Sequence, residues 1–193
     1  MESFIDEFKD DREKNSDIII AIDGMAAAGK GTVARFIADK LNIEHFSASD
    51  VFYQVADERN LEDHELSEEA EKELDLEIDR RTLERALEQD CIVEGRIPCY
   101  AVGSFADLKI KIKADPSERA RRLAGREDIE IEESEKIVEK RDREDSRRYK
   151  EYYGINTSDT EIYDIVIDNT DLSINKQNKL VLEELEKLFP EKV

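Results

Sequence analysis

The stretch 18–42 constrains this chain more than any other. Ile18, Ile19, Ile20, Ala21 and Ile22 form an apolar, largely β-branched run that predicts a buried strand. A turn of small residues follows and opens a helix whose apolar stripe is Val33, Phe36, Ile37 and Leu41. Inside the turn lies Gly24-x-x-x-x-Gly29-Lys30-Gly31-Thr32. Gly24 and Gly29 permit a turn tight enough for backbone N–H groups to face inward. Those donors, together with the start of the next helix, make a cradle for phosphate oxygens. Lys30 adds a mobile cation where the β- and γ-phosphates of a nucleotide would lie. The alternative is a Gly/Ala-rich turn that binds nothing; the strand before and the amphipathic helix after argue against it.

One position narrows the chemistry. Phosphate cradles of this kind commonly place Ser or Thr directly after the lysine, where the hydroxyl holds magnesium. Here that place is Gly31, and the hydroxyl comes one residue later, at Thr32. Lys30-Gly31-Thr32 resembles the nucleoside monophosphate kinases, in which the metal is held mainly by nucleotide phosphates and water.

A length of 193 residues suits one domain with a sound core. A net charge of −20 argues against binding duplex nucleic acid, whose phosphates would be repelled. A free nucleotide is a different case, because local arginines decide it. The acidity fits either a surface adapted to high salt or an ordinary acidic cytosolic protein. No apolar run approaches the roughly 20 residues that span a bilayer, and residues 1–17 are too acidic for a signal peptide. A cytoplasmic location and no membrane partner are expected. Cys91 and Cys99 read as buried thiols in a reducing compartment.

Further along, Phe4, Ile5 and Phe8 share one face of a short helix or frayed extension over 1–16. Ile43–Phe46 reads as a second strand, and Ser49 or Asp50 as the cap of a helix over 51–58. Residues 60–90 are helical and acidic, with Leu76, Leu83 and Leu87 on one stripe. Cys91–Glu94 is a third strand, and Leu108–Ile112 a fourth that alternates with Lys109, Lys111 and Lys113, as an edge strand would. A helix from Pro116 to about Gly125, a charged loop over 126–133 and a long helix Glu133–Tyr153 stopping at Gly154 follow. Ile165–Ile167 is a fifth strand, and Ser173–Phe189 the last helix. Strands alternating with helices imply a parallel α/β sheet.

In such a sheet chemistry gathers at the C-terminal strand ends. Ser47 and Asp50 follow strand two; Glu94, Gly95 and Arg96 end strand three. Asp50 and Glu94 suit ordering of magnesium-bound water, since hard cations prefer oxygen; Asp50 suits a helix cap equally well. Arg96 suits bidentate capture of an acceptor phosphate. Arg122 and Arg126 share a helical face, as do Arg143 and Arg147. Two such helices would make a lid closing over a nucleotide. The competing reading pairs these arginines with Glu139, Asp142, Glu144 and Asp145 on a solvated surface. His45 and His64 lack metal-ligand spacing, and Tyr149, Tyr152 and Tyr153 read as helix packing.

By its most specific stretch, Arg143-Glu144-Asp145-Ser146-Arg147-Arg148-Tyr149 through Gly154-Ile155, then Ile162-Tyr163-Asp164, the chain resembles the archaeal-type cytidylate kinases. Val93-Glu94-Gly95-Arg96 and Ile78-Asp79-Arg80-Arg81 also match familiar stretches, and the likeness runs from about Asp17 to Phe189. The resemblance implies a P-loop kinase with a five-stranded parallel sheet, an acceptor-binding insertion over about 50–90 and a lid over about 119–148. It implies ATP, Mg2+ and CMP or dCMP as small-molecule partners; the alternatives are a kinase with AMP or UMP as acceptor, or a nucleotide-binding module with weak ATPase activity, and a monomer is expected. Catalytic roles would fall to Lys30, Arg96, Arg143 and Arg147. The donor would be held by Gly24, Gly29, Lys30, Gly31, Thr32, Arg122 and Arg126. The acceptor would meet Ser47, Asp50, Arg80 and Arg96, with Asp50 and Glu94 reaching the metal through water. Two departures stand out: Tyr53 follows Asp50-Val51-Phe52 where the family usually has arginine, and Ile97-Pro98-Cys99-Tyr100 replaces a stretch often rich in glycine and tryptophan.

Overall fold

The computed structural model describes residues 12–59 and 72–192. The expected helix at Phe4–Phe8, His64 and the first part of the acidic segment lie outside the described residues. Five strands form one sheet: β1 (Ile19–Asp23), β2 (Glu44–Ser47), β3 (Cys91–Gly95), β4 (Leu108–Lys113) and β5 (Ile165–Asp168). Their order is β2-β3-β1-β4-β5, and every pairing is parallel. β1 is central, with Ile20 opposite Ile92 on one side and Leu108 on the other. All five of its residues are buried, which is why Ile19–Ile22 read as a continuous apolar run before Asp23.

Helices cover both faces, and the two-residue period of β1 divides its side chains between them. Ile18, Ile20 and Ile22 pack with Val33 and Ile37 of α1 (Lys30–Leu41) and Val181 and Leu185 of α7 (Ile174–Leu188). Ile19 and Ala21 face Val51 and Val55 of α2 (Ala48–Arg59), Leu83 and Leu87 of α3 (Lys72–Glu88), and Cys99 and Val102 of α4 (Pro98–Val102). α5 (Pro116–Glu127) and α6 (Ile131–Tyr153) pack through Ala120, Leu123 and Val138. Among the described residues, no helix is long and apolar enough to cross a membrane.

Three local expectations are corrected. The charged loop between α5 and α6 is only residues 128–130, because Asp128 turns the chain in a left-handed conformation (φ 56°) and α6 starts at Ile131. The five residues Pro98–Val102 form a short helix that the sequence pattern did not announce. β4 is not an edge: it lies between β1 and β5, and Lys111 is only 5% exposed. Its ammonium donates to the Thr157 carbonyl (2.9 Å) and the Tyr163 hydroxyl (3.2 Å), which is what permits a lysine there. Cys91 and Cys99 are free, buried thiols, Cys99 lying 3.3 Å from the Ala21 carbonyl.

Candidate active site

The loop between β1 and α1 is shaped by close backbone packing. Gly24 donates to the Gly95 carbonyl (3.2 Å), which seats the loop against the end of β3. A Cβ on Gly24 would lie 2.6 Å from the Ile112 carbonyl oxygen, so only glycine lets β4 pass this close. Ala27 (φ 58°) and Gly29 (φ 97°) then bend the chain into α1. The loop's outward carbonyls are held by side chains. Ala28 accepts from Arg122 (3.2 Å) and Asn169 (3.0 Å), and Ala26 from Arg119 (3.3 Å). Among the described residues, the amides of Ala26, Ala27, Gly29 and Lys30 donate to no protein acceptor. A loop with tied carbonyls and unused amides at a helix start is built to receive an anion.

Lys30 reaches back over this loop, its ammonium 3.3 Å from the Met25 carbonyl and 3.8 Å from Glu94. Burial first, and the Arg96 charge second, lower its pKa to about 8, against the pull of Glu94. Beneath, Asp23 is fully buried, accepting from the Cys99 amide (2.8 Å) and the Tyr163 hydroxyl (2.7 Å). Burial raises it to about 6, partly offset by those two donors. Both carboxylate oxygens are therefore committed, and Asp23 braces β1 against α4 and the segment before β5.

A cavity of about 530 Å³ opens beside Lys30. Its walls are Ser47–Ser49 and Phe52 after β2, Glu94–Pro98 after β3, the inner face of α3 and the inner face of α6. Charges from opposite walls meet across it. Arg96 donates through Nε to Asp145 (2.6 Å), and Arg148 bridges Asp75 (3.1 Å) and Asp145 (3.4 Å). Tyr153 donates to Asp79 (2.6 Å). Burial lifts Asp75 to about 6, countered by Arg148, and Asp79 to about 7, countered by Tyr153.

Of the residues singled out in the sequence, Lys30, Ser47, Glu94, Arg96 and Arg126 line this cavity. Gly24, Gly29, Gly31 and Thr32 shape the loop and first turn beside it. The Gly31 position faces Glu94, whose Oε1 would lie 3.1 Å from an added Cβ. Arg122 sits behind the loop, bonded to Ala28 and Asn169. Four residues lie elsewhere. Asp50 is exposed and exchanges hydrogen bonds with Ser47, its carboxylate accepting from the Ser47 amide (2.6 Å) and its amide donating to the Ser47 hydroxyl (3.1 Å). That reciprocal pair is a capping box: α2 begins at Ala48, so Ser47 is the cap in place of the expected Ser49 or Asp50, and Asp50 reaches back from the first turn. Arg80 turns to Glu84 (2.7 Å). Arg143 and Arg147 project to the surface toward Glu139 and Glu151.

Helix phase explains the difference. Arg141, Glu144, Asp145, Arg148 and Tyr149 recur at i, i+3, i+4, i+7 and i+8, so they share the inner face of α6. Arg143 and Arg147 fall between those positions. On α3 the same phase brings in Asp75, Ile78, Asp79 and Thr82 and leaves Arg80 outside. Asp75, Asp79, Thr82 and Asp145 were the missed residues. Their helical spacing carries the signal, but buried acids in an acidic chain look like solvated surface until the facing wall is known.

The phosphate-cradling loop, the charged cavity beside it and the strand order together define a P-loop kinase acting on a small acceptor. The fold is shared with a shikimate kinase from Bacteroides thetaiotaomicron, at TM-score 0.56 and 16% identity over 90% of this chain and 98% of that one. Residues 73–171 match the cytidylate kinase-like family and residues 20–80 the cytidylate kinase family. A cytidylate kinase from Methanothermobacter thermautotrophicus is 42% identical over 78% of this chain and 94% of its own. One from Staphylothermus marinus is 34% identical over 90% of this chain and 99% of its own. This chain belongs to the cytidylate kinase family.

Proposed function

We propose that the chain transfers the γ-phosphoryl group of ATP to CMP or dCMP, giving ADP and CDP or dCDP. One observation carries this reading: the loop with unused amides and Lys30 opens onto a cavity that presents Arg96 from the end of the neighbouring strand. In this reading the loop amides, Lys30 and Thr32 hold the donor phosphates, and Arg122 and Arg126 lie on the donor side. Arg96 receives the acceptor phosphate, with Ser47 beside it. Asp145, now on Arg96, gives up or shares that contact when the acceptor enters. An oxygen of the acceptor phosphate attacks the γ-phosphorus as the bond to the bridging oxygen of ADP breaks. The attacking group is already an oxyanion, so no general base is needed. Lys30 and the arginines stabilise the charge on the transferred group.

The donor set fits a metal that rides on the nucleotide. Among the described residues, no group of three or more His, Cys, Asp or Glu side chains is arranged to hold an ion. Glu94, on the cavity wall facing Gly31, is the carboxylate suited to holding a magnesium-bound water; Asp50 is occupied by the Ser47 amide. Bound Mg2+ would neutralise phosphate charge and orient the donor. We read α5 and α6 as the lid and α3 as the acceptor-binding segment, within one chain acting as a monomer.

The test is ADP release with CMP, dCMP, UMP and AMP as separate acceptors. CMP and dCMP are expected to be used in preference. Equal turnover of AMP and CMP, or ADP release indifferent to acceptor, would overturn the reading.

A further inference from the structure

The far wall of the cavity holds polar groups that phosphate chemistry leaves unused. Asp79 and Thr82 are three residues apart on α3, on one face, and both line the cavity. Asp79 accepts from Tyr153 through Oδ2; among the described residues its Oδ1 accepts no hydrogen bond. Thr82 is 1% exposed, and its hydroxyl has no hydrogen-bond partner among the described residues. A buried hydroxyl without a partner costs stability, so it marks a place where something else completes the pairing. Phe52 and Ile78 supply apolar wall beside the pair. Asp75, one turn earlier, is already paired with Arg148.

We propose that Asp79 and Thr82 form the subsite that reads the acceptor base, with Asp79 accepting from the exocyclic amino group of cytosine and Thr82 donating to a ring acceptor. This assignment rests on the pyrimidine-kinase reading above. Tyr153 is the positioning residue: it holds one carboxylate oxygen and leaves the other to the base. The pair explains selection physically. Cytosine presents an amino donor beside a ring-nitrogen acceptor, whereas uracil presents a carbonyl beside an N–H. Uracil would set its carbonyl against the carboxylate and leave Asp79 unpaired, which is the strong form of discrimination, whereas the Thr82 hydroxyl can turn to accept from the uracil N–H and so adds affinity more than selectivity. An amide at position 79 could instead donate to that carbonyl.

The experiment measures kcat and KM for CMP and UMP, with the KM for ATP, in the parent, Asp79→Asn and Thr82→Val. Asp79→Asn is expected to lower kcat/KM for CMP roughly ten- to hundredfold, mainly through KM, and to leave UMP unchanged or improved. Thr82→Val is nearly isosteric and removes a hydroxyl that holds nothing in the fold. It is expected to keep or raise the parental melting temperature, and to raise the KM for CMP several-fold with kcat and the ATP KM unchanged. Equal losses on CMP and UMP in Asp79→Asn would overturn the subsite. So would an unaltered CMP KM in Thr82→Val, which decides the matter alone if Asp79→Asn does not fold. A parent that shows no CMP-dependent ADP release overturns the kinase reading instead, and the cytosine assignment falls with it.

Discussion

Lys30 is the residue whose chemistry depends most on its surroundings. Its pKa of about 8 arises from burial beside Arg96, so near neutral pH it remains a cation but with little margin. In the free protein kcat/KM for the donor should therefore fall as pH rises through about 8, since the protonated form is the active one; a pH–rate profile checks this. Lys30→Ala removes that charge altogether and should cost at least about a hundredfold in kcat, measured by coupled ADP release. Gly24 sets a different limit. Its neighbour is a main-chain carbonyl at 2.6 Å from a built Cβ, and a strand in mid-sheet cannot retreat. Gly24→Ala should destabilise by about 1–3 kcal/mol, seen as a lower denaturation midpoint. The glycine was legible in the sequence as part of a cradle; the second reason for it, the passing edge of β4, was not.

At the scale of elements, Arg119 links three of them. It is 4% exposed and pairs with Asp142 of α6 (2.9 Å), while its remaining donors reach the carbonyls of Ala114 and Ala26. The helix read as a lid is thus joined to the phosphate loop through one guanidinium. Asp142→Ala leaves that cation buried and short of its counter-charge, which should cost about 1–3 kcal/mol given the partial exposure of Asp142. Hydrogen exchange should then quicken in α6 before it quickens in β1; uniform acceleration through the sheet would contradict this link. The elements themselves were largely readable from periodicity, as α1 and β1 illustrate. What periodicity did not settle was which face of a charged helix turns inward. Arg143 and Arg147 satisfy the same spacing rule as Arg141, Glu144, Asp145 and Arg148, and only the packing of α6 over the cavity separates the two sets.

Over the whole molecule, two charge effects act on stability. Asp23, Asp75 and Asp79 have pKa values raised to about 6, 6 and 7 because burial disfavours their ionised forms. The folded chain therefore binds protons more tightly than the unfolded chain between the ordinary carboxylate range and those values. Stability should fall as pH rises from about 4 to about 7 and stop falling through these groups above that window. Denaturant midpoints across that range check the sign, and Asp23→Asn should flatten the slope. The net charge of −20 adds self-repulsion, so melting temperature should rise with salt at neutral pH.

The glycine-rich loop after β1, the parallel α/β class and the family likeness were legible in the residues alone. Each rests on local chemistry: glycines in a turn, a β-branched run, a specific string of residues along one helix. Only the tertiary structure decided that Lys111 is buried beside Tyr163, that Arg96 meets Asp145, and that Asp79 and Thr82 face the cavity. Those facts depend on contacts between segments far apart in the chain. A buried acid or lysine is tolerable only when its partner is in place, and the sequence does not state which distant donor will arrive. The cradle over Gly24–Thr32 could be read from its own residues; the pocket it serves had to be assembled.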